Sequence, residues 1–583
     1  MTTQTNYPII RPTLDLDFAN SQELDPRITF TRSSPAVYYD GKTSVMAEQN
    51  LILYSQAFTN ATGWLAISGL TVADNTTVAP DGTTTGGTIT ITNTANAFRT
   101  VGISVIPLTA YTFSFYALRG TSTDMQYSVY NGTASSDIVA STSYYASTNG
   151  STWSRITVNF TTPSGCTLLY CYPSRGSTST GNFFVWGAQL EQRANVTSYN
   201  ATTSTALTNY IPVLLSAANN TPRFDHNPNT GQSLGLLVEQ QSTNLLTYSS
   251  DYTNAAWSKN GVSAITAASV APDGTQTAQF LQETTANTSW HFWSQSSGVI
   301  TTSTAYTLSA YFKNNGTQYA YLQFAMGGTT AQVVMDTTTG LITYNTGSSG
   351  TVTSVGNGWY KLSITSTTSS NTGGIVYVGI SRTSPTVTQY TGDGYRGMYV
   401  WGAQLEALPF STSYIPTVAT TMTRNVDSAI ITGTNFSSWY NFGQGTIFAH
   451  ASTNSVVSAS QNSALVGIGT DFVNYIRFFR AASQTVAALQ IGTSGTNLFT
   501  LATGPWPDGG SSVKVAGSYI TNNFSLCCNG TLTNFYSGNI PTVQTTLNIG
   551  NYPGLNTLNG CIKKISYYPY ALSNAQLQAL TTS

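Results

Sequence analysis

The sequence predicts an all-β protein of several domains: two tandem jelly-roll β-sandwiches followed by a sandwich of another kind. Three observations carry that reading. Stretches such as "YTFSFYA" from Tyr111 and "WYKLSITST" from Trp359 alternate apolar or aromatic with small polar residues, the period-two pattern of half-buried strands. Gly, Asn, Asp and Pro punctuate them at short intervals, as turns require. The phrase "VWGAQLE" occurs twice, at Val185 and at Val400, and each copy returns to Thr-Ser-Tyr after five unrelated residues.

The length of 583 residues exceeds what one hydrophobic core serves; at roughly 100–200 residues per domain it makes about three to five units. Only 7% of residues are charged, against about 25% in an ordinary soluble protein. Thr, Ser, Asn and Gly must therefore keep the surface wet, and 40% apolar with 12% aromatic content marks a folded chain. A net charge of −1 without any Lys/Arg cluster excludes a nucleic-acid partner. No apolar run approaches the length that spans a bilayer, so no membrane insertion is expected. The start "MTTQTNYPIIRPTLDLDF" lacks the basic head and apolar core of a signal peptide, so synthesis in the cytoplasm is expected. The five cysteines show no zinc-type spacing and read as free thiols.

The repeat extends far beyond the shared phrase. "EQNLILYS" from Glu48 is answered by "EQQSTNLLTYS" from Glu239, "APDGT" recurs at Ala79 and Ala271, and "AYTFSFYA" at Ala110 matches "AYTLSAYF" at Ala305. The offset is 195 at Ala110 and Ala305 (305 − 110), 206 at Trp153 and Trp359 (359 − 153), and 215 at Val185 and Val400 (400 − 185). Matched order with growing offset means tandem duplication with insertions in loops. Three tryptophan pairs, Trp64/Trp257, Trp153/Trp359 and Trp186/Trp401, read as core residues that make the fold.

These matches divide the chain into residues 1–49, a leader or collar; 50–200, a first jelly roll; 201–242, the leader's continuation; 243–417, a second jelly roll; and 418–583, a terminal sandwich. Both "SVMAEQNL" and "GLLVEQQSTNLL" lead into a module in the same way. The first module therefore reads as an insertion into a leader that resumes near Tyr210, which brings residues 1–49 and 200–242 together. Only the closing "SNAQLQALTT" has helical character, with Ser573 as its N-cap.

Four of the six glutamates are repeat partners: Glu48 with Glu239, and Glu191 with Glu406. Each copy keeps one near its first strand and one near its last, strands that lie side by side in a jelly roll. Two readings stay open. The pair holds a structural Ca2+ through carboxylate oxygens, or it is satisfied by backbone N–H groups and arginines at the sandwich edge.

The phrases "LDFANSQELDPRITFTR" from Leu16, "RFDHNPNTGQSLGLLVEQQSTNLL" from Arg223 and "WGAQLE" followed by "TSYIPT" resemble those of structural proteins from tailed bacteriophages, whose modules are similar to carbohydrate-binding jelly rolls. "LNGCIKKISYYPYALSNAQLQALT" from Leu558 resembles the concanavalin A-like, or laminin-G-like, lectin sandwich. The first module departs from the pattern with "TSYNAT", as a rerouted exit requires. The resemblance implies a virion component, a tail fibre or adhesin in contact with host-surface polysaccharide and with other virion proteins. The low charge suits extensive subunit packing, so a homo-oligomer is expected; a trimer is common in fibres, and no heptad or collagen-like segment sets the number. The rival reading is a capsid decoration or tail connector that binds only virion proteins.

Sugar binding needs aromatic faces for pyranose rings and neutral polar groups for hydroxyls. The candidates are aromatics not shared between repeats: Trp290 and Trp293 in "SWHFWS", and Trp506 on the loop "GPWPDGG". In a strand, Trp290 and Phe292 share one face while His291 and Trp293 share the other. Catalysis is not expected. Glycoside cleavage uses two carboxylates about 5 to 9.5 Å apart. After Glu406 the chain has no glutamate and only Asp427, Asp471 and Asp508, far apart in sequence. His450 has no Ser or Cys partner phrase. No cofactor beyond the open Ca2+ question is expected.

Overall fold

The computed structural model describes residues 11–285, 288–384, 387–454, 462–470, 473–481, 485–507, 510–541, 544–553 and 557–582. About 53% of the chain is strand and 4% helix, and among the described residues the strands pair antiparallel, with one isolated parallel bridge between Gly316 and Gly397. The all-β, multi-domain expectation holds. Asp471 and Asp508 lie outside the described residues.

The two modules share one strand order. In the first, one sheet runs Ser154–Thr161, Ala110–Arg119, Gly181–Glu191, Gly86–Ile91, Leu70–Thr77. In the second, the matching sheet runs Trp359–Thr367, Ala305–Asn315, Gly397–Glu406, Ala278–Glu283, Val262–Ser269. The second module adds two consecutive strands, Leu341–Thr346 and Ser349–Gly356, which cross from one sheet to the other and extend each at its edge. That insertion accounts for the growth of the offset between Ala305 and Trp359. Five of the six paired tryptophans are buried: Trp64, Trp257, Trp359, Trp186 and Trp401. Trp153 is half-buried and donates to Val78 O at 2.9 Å.

The terminal sandwich differs from the expected 418–583 unit. One of its sheets runs Arg223–His226, Ser233–Val238, Gly560–Tyr568, Gln444–Ser452, Ser512–Ile520, Asn523–Cys528, Thr531–Phe535, and Leu14–Leu16 also pairs with Gly560–Tyr568. The facing sheet begins with Thr29–Thr31, which pairs with Ser428–Thr432. A boundary at 418 therefore cuts through one core. Leu14, Leu16, Phe18, Phe30, Leu236 and Val238 pack with Ile447, Leu489, Trp506 and Ile565. The physical reason is edge satisfaction: Gly560–Tyr568 would otherwise leave one row of backbone N–H and C=O groups unpaired.

Both modules, not the first alone, are thus inserted into this sandwich, each on a two-stranded neck. The neck of the first is Ala36–Asn50 paired with Leu207–Ala217, from Ala36 opposite Ala217 to Asn50 opposite Leu207. The neck of the second is Ser242–Asn244 paired with Met422–Arg424. Val37, Tyr39, Ile211 and Leu214 of the first neck also pack on Phe280, Tyr311, Trp359 and Trp401 of the second module. The closing helix Asn574–Thr582 starts with a reciprocal cap, Gln576 N–H to Ser573 Oγ at 3.4 Å and Ser573 N–H to Gln576 Oε1 at 2.9 Å.

Residues 418–583 produced alone should fail to give a cooperatively folded monomer, because Leu14–Leu16, Thr29–Thr31 and Arg223–Val238 are missing from its sheets. Circular dichroism melting and gel filtration test this; a monomeric fragment with a sharp thermal transition contradicts the shared sandwich.

Candidate carbohydrate-binding face

The shared phrase is a loop lock, and its glutamates are part of it. Glu191 accepts from Thr197 N–H at 2.9 Å and from the Thr197 hydroxyl. Glu406 accepts from Thr412 N–H at 3.0 Å and from the Thr412 hydroxyl. Gln189 Oε1 accepts from Asn200 N–H at 2.7 Å, as Gln404 Oε1 does from Ile415 N–H at 2.6 Å. Trp186 lies 4.6 Å from Tyr199 and Trp401 4.5 Å from Tyr414, ring centre to ring centre. The glycine of each phrase, Gly187 and Gly402, has φ of +60° and +64° at a bulge that lets these rings close. Asn50 and Asn244 then bind both ends of the loop, each donating twice and accepting twice.

The other two glutamates fasten each module to its neighbour. Glu48 accepts from Lys313 Nζ at 2.5 Å and from Asn357 Nδ2 at 2.8 Å, both in the second module. Glu239 accepts from Arg223 at 2.8 Å, lies 3.2 Å from Arg424, and accepts from Ser413 N–H at 2.8 Å. Arg223 and Arg32 meet on Asp427, at 2.6 and 3.1 Å. All five charged groups are buried. Further donors reach carbonyls, Arg32 to Ser34 O at 2.7 Å and Ala218 O at 2.8 Å, and Arg424 to Gln240 O at 2.6 Å, while Arg223 Nε and Arg424 Nε are buried without an acceptor among the described residues. Burial pushes the Glu239 carboxyl up, but Arg424 and Arg223 outweigh it and bring it down to about 2.

The Ca2+ expectation for Glu48, Glu191, Glu239 and Glu406 does not fit these surroundings. Two carboxylates face cationic side chains and the other two are spent on threonine, so a divalent cation would meet repulsion or an occupied oxygen.

Two of the three tryptophan candidates are corrected. Trp293 is fully buried and stacks on Tyr252 at 4.3 Å. Trp506 is fully buried in the terminal core, and Arg480 Nε donates to Trp506 O at 3.0 Å. The strand alternation sets Trp293 inward; Trp506 directly follows the strand Thr496–Pro505 and packs in the core with Leu489 and Val513. Trp290 is 39% exposed, on the Phe292 side of its strand. His450 meets Ser512 Oγ at 2.6 Å, a partner the sequence did not disclose because it comes from the neighbouring strand. Burial and then Lys563 and Lys514 push this imidazole down to about 4, which leaves it a weak base near neutral pH.

The face missed in the sequence is the outer side of the first module's four-stranded sheet and of the three-stranded sheet that adjoins it. Val129, Leu169, Cys171 and Phe98 of their strands point into the core, so Tyr130, Tyr170, Tyr172 and Arg99 point outward. Tyr130 stands opposite Tyr170 and Asp137 opposite Tyr130. Tyr170, Tyr130 and Asp137 therefore form a row across three strands, about 10 Å at the usual strand spacing, and Arg99 reaches its Tyr170 end from the adjoining three-stranded sheet of Trp64–Ser68, Ala97–Thr100 and Ser174–Arg175. The Tyr170 ring lies against Gly132, where a Cβ would come within 2.6 Å of it. The Arg99 guanidinium sits 3.8 Å over Tyr170, and that of Arg175 sits 5.0 Å from both Tyr130 and Tyr172 while pairing with Asp137. Rings, hydroxyls and guanidinium forks on one half-exposed sheet face can stack on sugar rings and bond their substituents.

The matching face of the second module has been closed. Phe292, Tyr377, Tyr321, Tyr319 and Tyr344 make it aromatic, but Val387, from a segment lengthened relative to the first module, packs over Tyr321 and Val334. Arg382, in the place of Arg175, pairs instead with Glu283 and Asp393 and anchors that strap. Tyr390 of the strap donates to Glu283 at 2.8 Å and stacks on buried His291 at 3.9 Å.

No protein-family model and no curated protein matches this chain. Among solved structures, the carbohydrate-binding module CBM40 of the Ruminococcus gnavus IT-sialidase, bound to α2,3-sialyllactose, is 17% identical. It covers 25% of this chain and 87% of its own, with a TM-score of 0.21. The tandem CBM22-1–CBM22-2 of Paenibacillus barcinonensis Xyn10C is 11% identical over 63% of this chain and 99% of its own, with a TM-score of 0.19. Domains LG4-5 of the mouse laminin α1 chain are 10% identical over 47% of this chain and 86% of their own, with a TM-score of 0.17. At such scores no ligand is carried across to this chain.

Two outcomes follow from the geometry. The depressed Glu239 contributes stability that is present above its ordinary value of 4.5 and is lost as the pH falls toward 2, on the order of 3 kcal/mol. Thermal melts across that range should fall steeply, and Glu239→Gln should start from a lower midpoint and flatten the slope; an unchanged slope counts against the ion cluster. Trp293→Ala should cost about 3–5 kcal/mol by urea denaturation while leaving ligand binding by the folded fraction intact.

Proposed function

We propose that this chain is a non-enzymatic virion component of a tailed bacteriophage, a tail fibre or adhesin that binds host-surface polysaccharide through its first module. The observation that carries the binding is the outward row of Arg99, Tyr170 and Tyr130, framed by Tyr172 and Arg175. Such a face offers flat ring surface with hydrogen-bond donors at its margins, which suits a sugar better than a dry protein contact.

The virion location is supported by the phrases at Leu16, Arg223 and Val400 that resemble phage structural proteins. A purely binding role is supported by the chemistry of the row, which pairs no general acid with a base, and by the lysines around His450. Assembly into a homo-oligomer, with a trimer as the fibre form, and attachment to other virion proteins complete the proposal. Its support is the low charge of the chain, since charged side chains are depleted in interface cores.

Labelled full-length protein should bind intact host-range bacteria saturably, and purified surface polysaccharide should compete. Tyr130→Ala should weaken that binding about tenfold or more, the scale of a lost stacking contact, with the thermal midpoint little changed. Absence of binding by the folded, assembled protein would turn the assignment to a capsid decoration or tail connector.

A further inference from the structure

We infer that the ligand of the first module's face is an anionic polysaccharide whose carboxylate or phosphate groups pair with Arg99. This rests on the glycan-binding reading above and adds the charge class of the ligand.

The two arginines of the face are not equivalent. Arg175 is neutralised by Asp137 and donates to Ser128 Oγ at 3.2 Å. Arg99 pairs with no carboxylate among the described residues; it is held by Nη1 donating to Thr100 O at 2.9 Å and by its stacking on Tyr170. Stacking fixes the plane of the guanidinium, while its Nε and Nη2 donors have no protein acceptor among the described residues. The side chain is half-buried, so those donors reach solvent. A planar fork, pre-oriented and charged, matches two oxygens of a carboxylate or phosphate through parallel N–H···O bonds.

Counting Arg99, Arg175 and Asp137, the row carries one uncompensated positive charge, in a chain where only 7% of residues are charged at all. The second module makes the contrast within the same chain. Its strand His291–Ser296 takes the place of Ala97–Thr100 and holds no arginine. Arg382 is consumed by Glu283 and Asp393. Duplication therefore left one charged open face and one neutral closed face.

Full-length protein is measured by biolayer interferometry against an array of bacterial polysaccharides. Neutral polymers, acidic polymers with their carboxyl-reduced forms, and phosphorylated polymers with their dephosphorylated forms are included. Acidic or phosphorylated members should bind, more weakly as salt rises, and lose about tenfold or more on Arg99→Gln. Whichever chemical removal produces the same loss names the anionic group. Arg99→Lys keeps the charge without the fork and should fall between; melting curves establish that each variant is folded, and Arg99→Lys serves alone if Arg99→Gln is not.

Binding of neutral polymers that is unaffected by Arg99→Gln and lost in Tyr130→Ala would overturn the charge assignment while leaving the glycan reading in place. Binding to no member of the array overturns both.

Discussion

The buried cluster of Arg32, Arg223, Arg424, Glu239 and Asp427 is the constraint on which the rest of this protein depends. It gathers residues from the leader, from its continuation, and from the start of the terminal sandwich, up to 395 positions apart. Two carboxylates cannot balance three guanidiniums, so backbone carbonyls at Val37, Ala218 and Gln240 take further donors, and Arg223 Nε and Arg424 Nε are left without an acceptor among the described residues. Such a cluster is a weak source of net stability, because desolvating five charges offsets most of their attraction. Its effect is positional. Displacing any one member strands its partners unpaired in a dry interior, so both necks and the sandwich are held to one arrangement.

The repeated phrase performs two duties with the same residues. Within each module, Glu191 or Glu406 closes the loop on its threonine, and the tryptophan packs on the tyrosine. Between units, the serine of each Thr-Ser-Tyr reaches outward. Ser198 donates to Ala268 O in the second module at 2.7 Å, whereas Ser413 donates to Glu239 at the ion cluster at 2.6 Å. The first-strand glutamate follows the same logic, Glu48 toward Lys313 and Glu239 toward Arg223 and Arg424. One latch thus serves two interfaces, which explains why a duplicated module keeps the phrase intact while its loops diverge.

Divergence is concentrated where latching is not involved. The added strands Leu341–Thr346 and Ser349–Gly356 widen the two sheets of the second module by one strand each, and the lengthened strap with Val387 and Tyr390 lies over its aromatic face. The first module lacks both and keeps its tyrosine row open. The sheet of the second module that carries Trp359, Tyr311 and Trp401 meanwhile packs through them against the first neck. One copy has become a packing element on two of its faces, and the other retains a free one.

The strands, the duplication and the tryptophan cores were legible in the sequence, because period-two alternation, turn residues and repeated phrases are local properties that survive in one dimension. So were the first module as an insertion, through the rerouted "TSYNAT" exit, and the helix at the end of the chain from Ser573. Partnership was not legible there. Leu14–Leu16 and Thr29–Thr31 read as a leader, yet a sheet edge more than 500 residues away accepts the first of them, since an edge specifies that it must be paired and not by which segment. The glutamates read equally as cation ligands or as bonded groups until the arginines and threonines around them were in place. Trp293 and Trp506 carried the right ring for sugar binding and the wrong direction. The Arg99, Tyr170 and Tyr130 row was invisible for a related reason: its members come from three strands, each unremarkable alone; sheet register sets Tyr130 beside Tyr170, and Arg99 reaches them from an adjoining sheet.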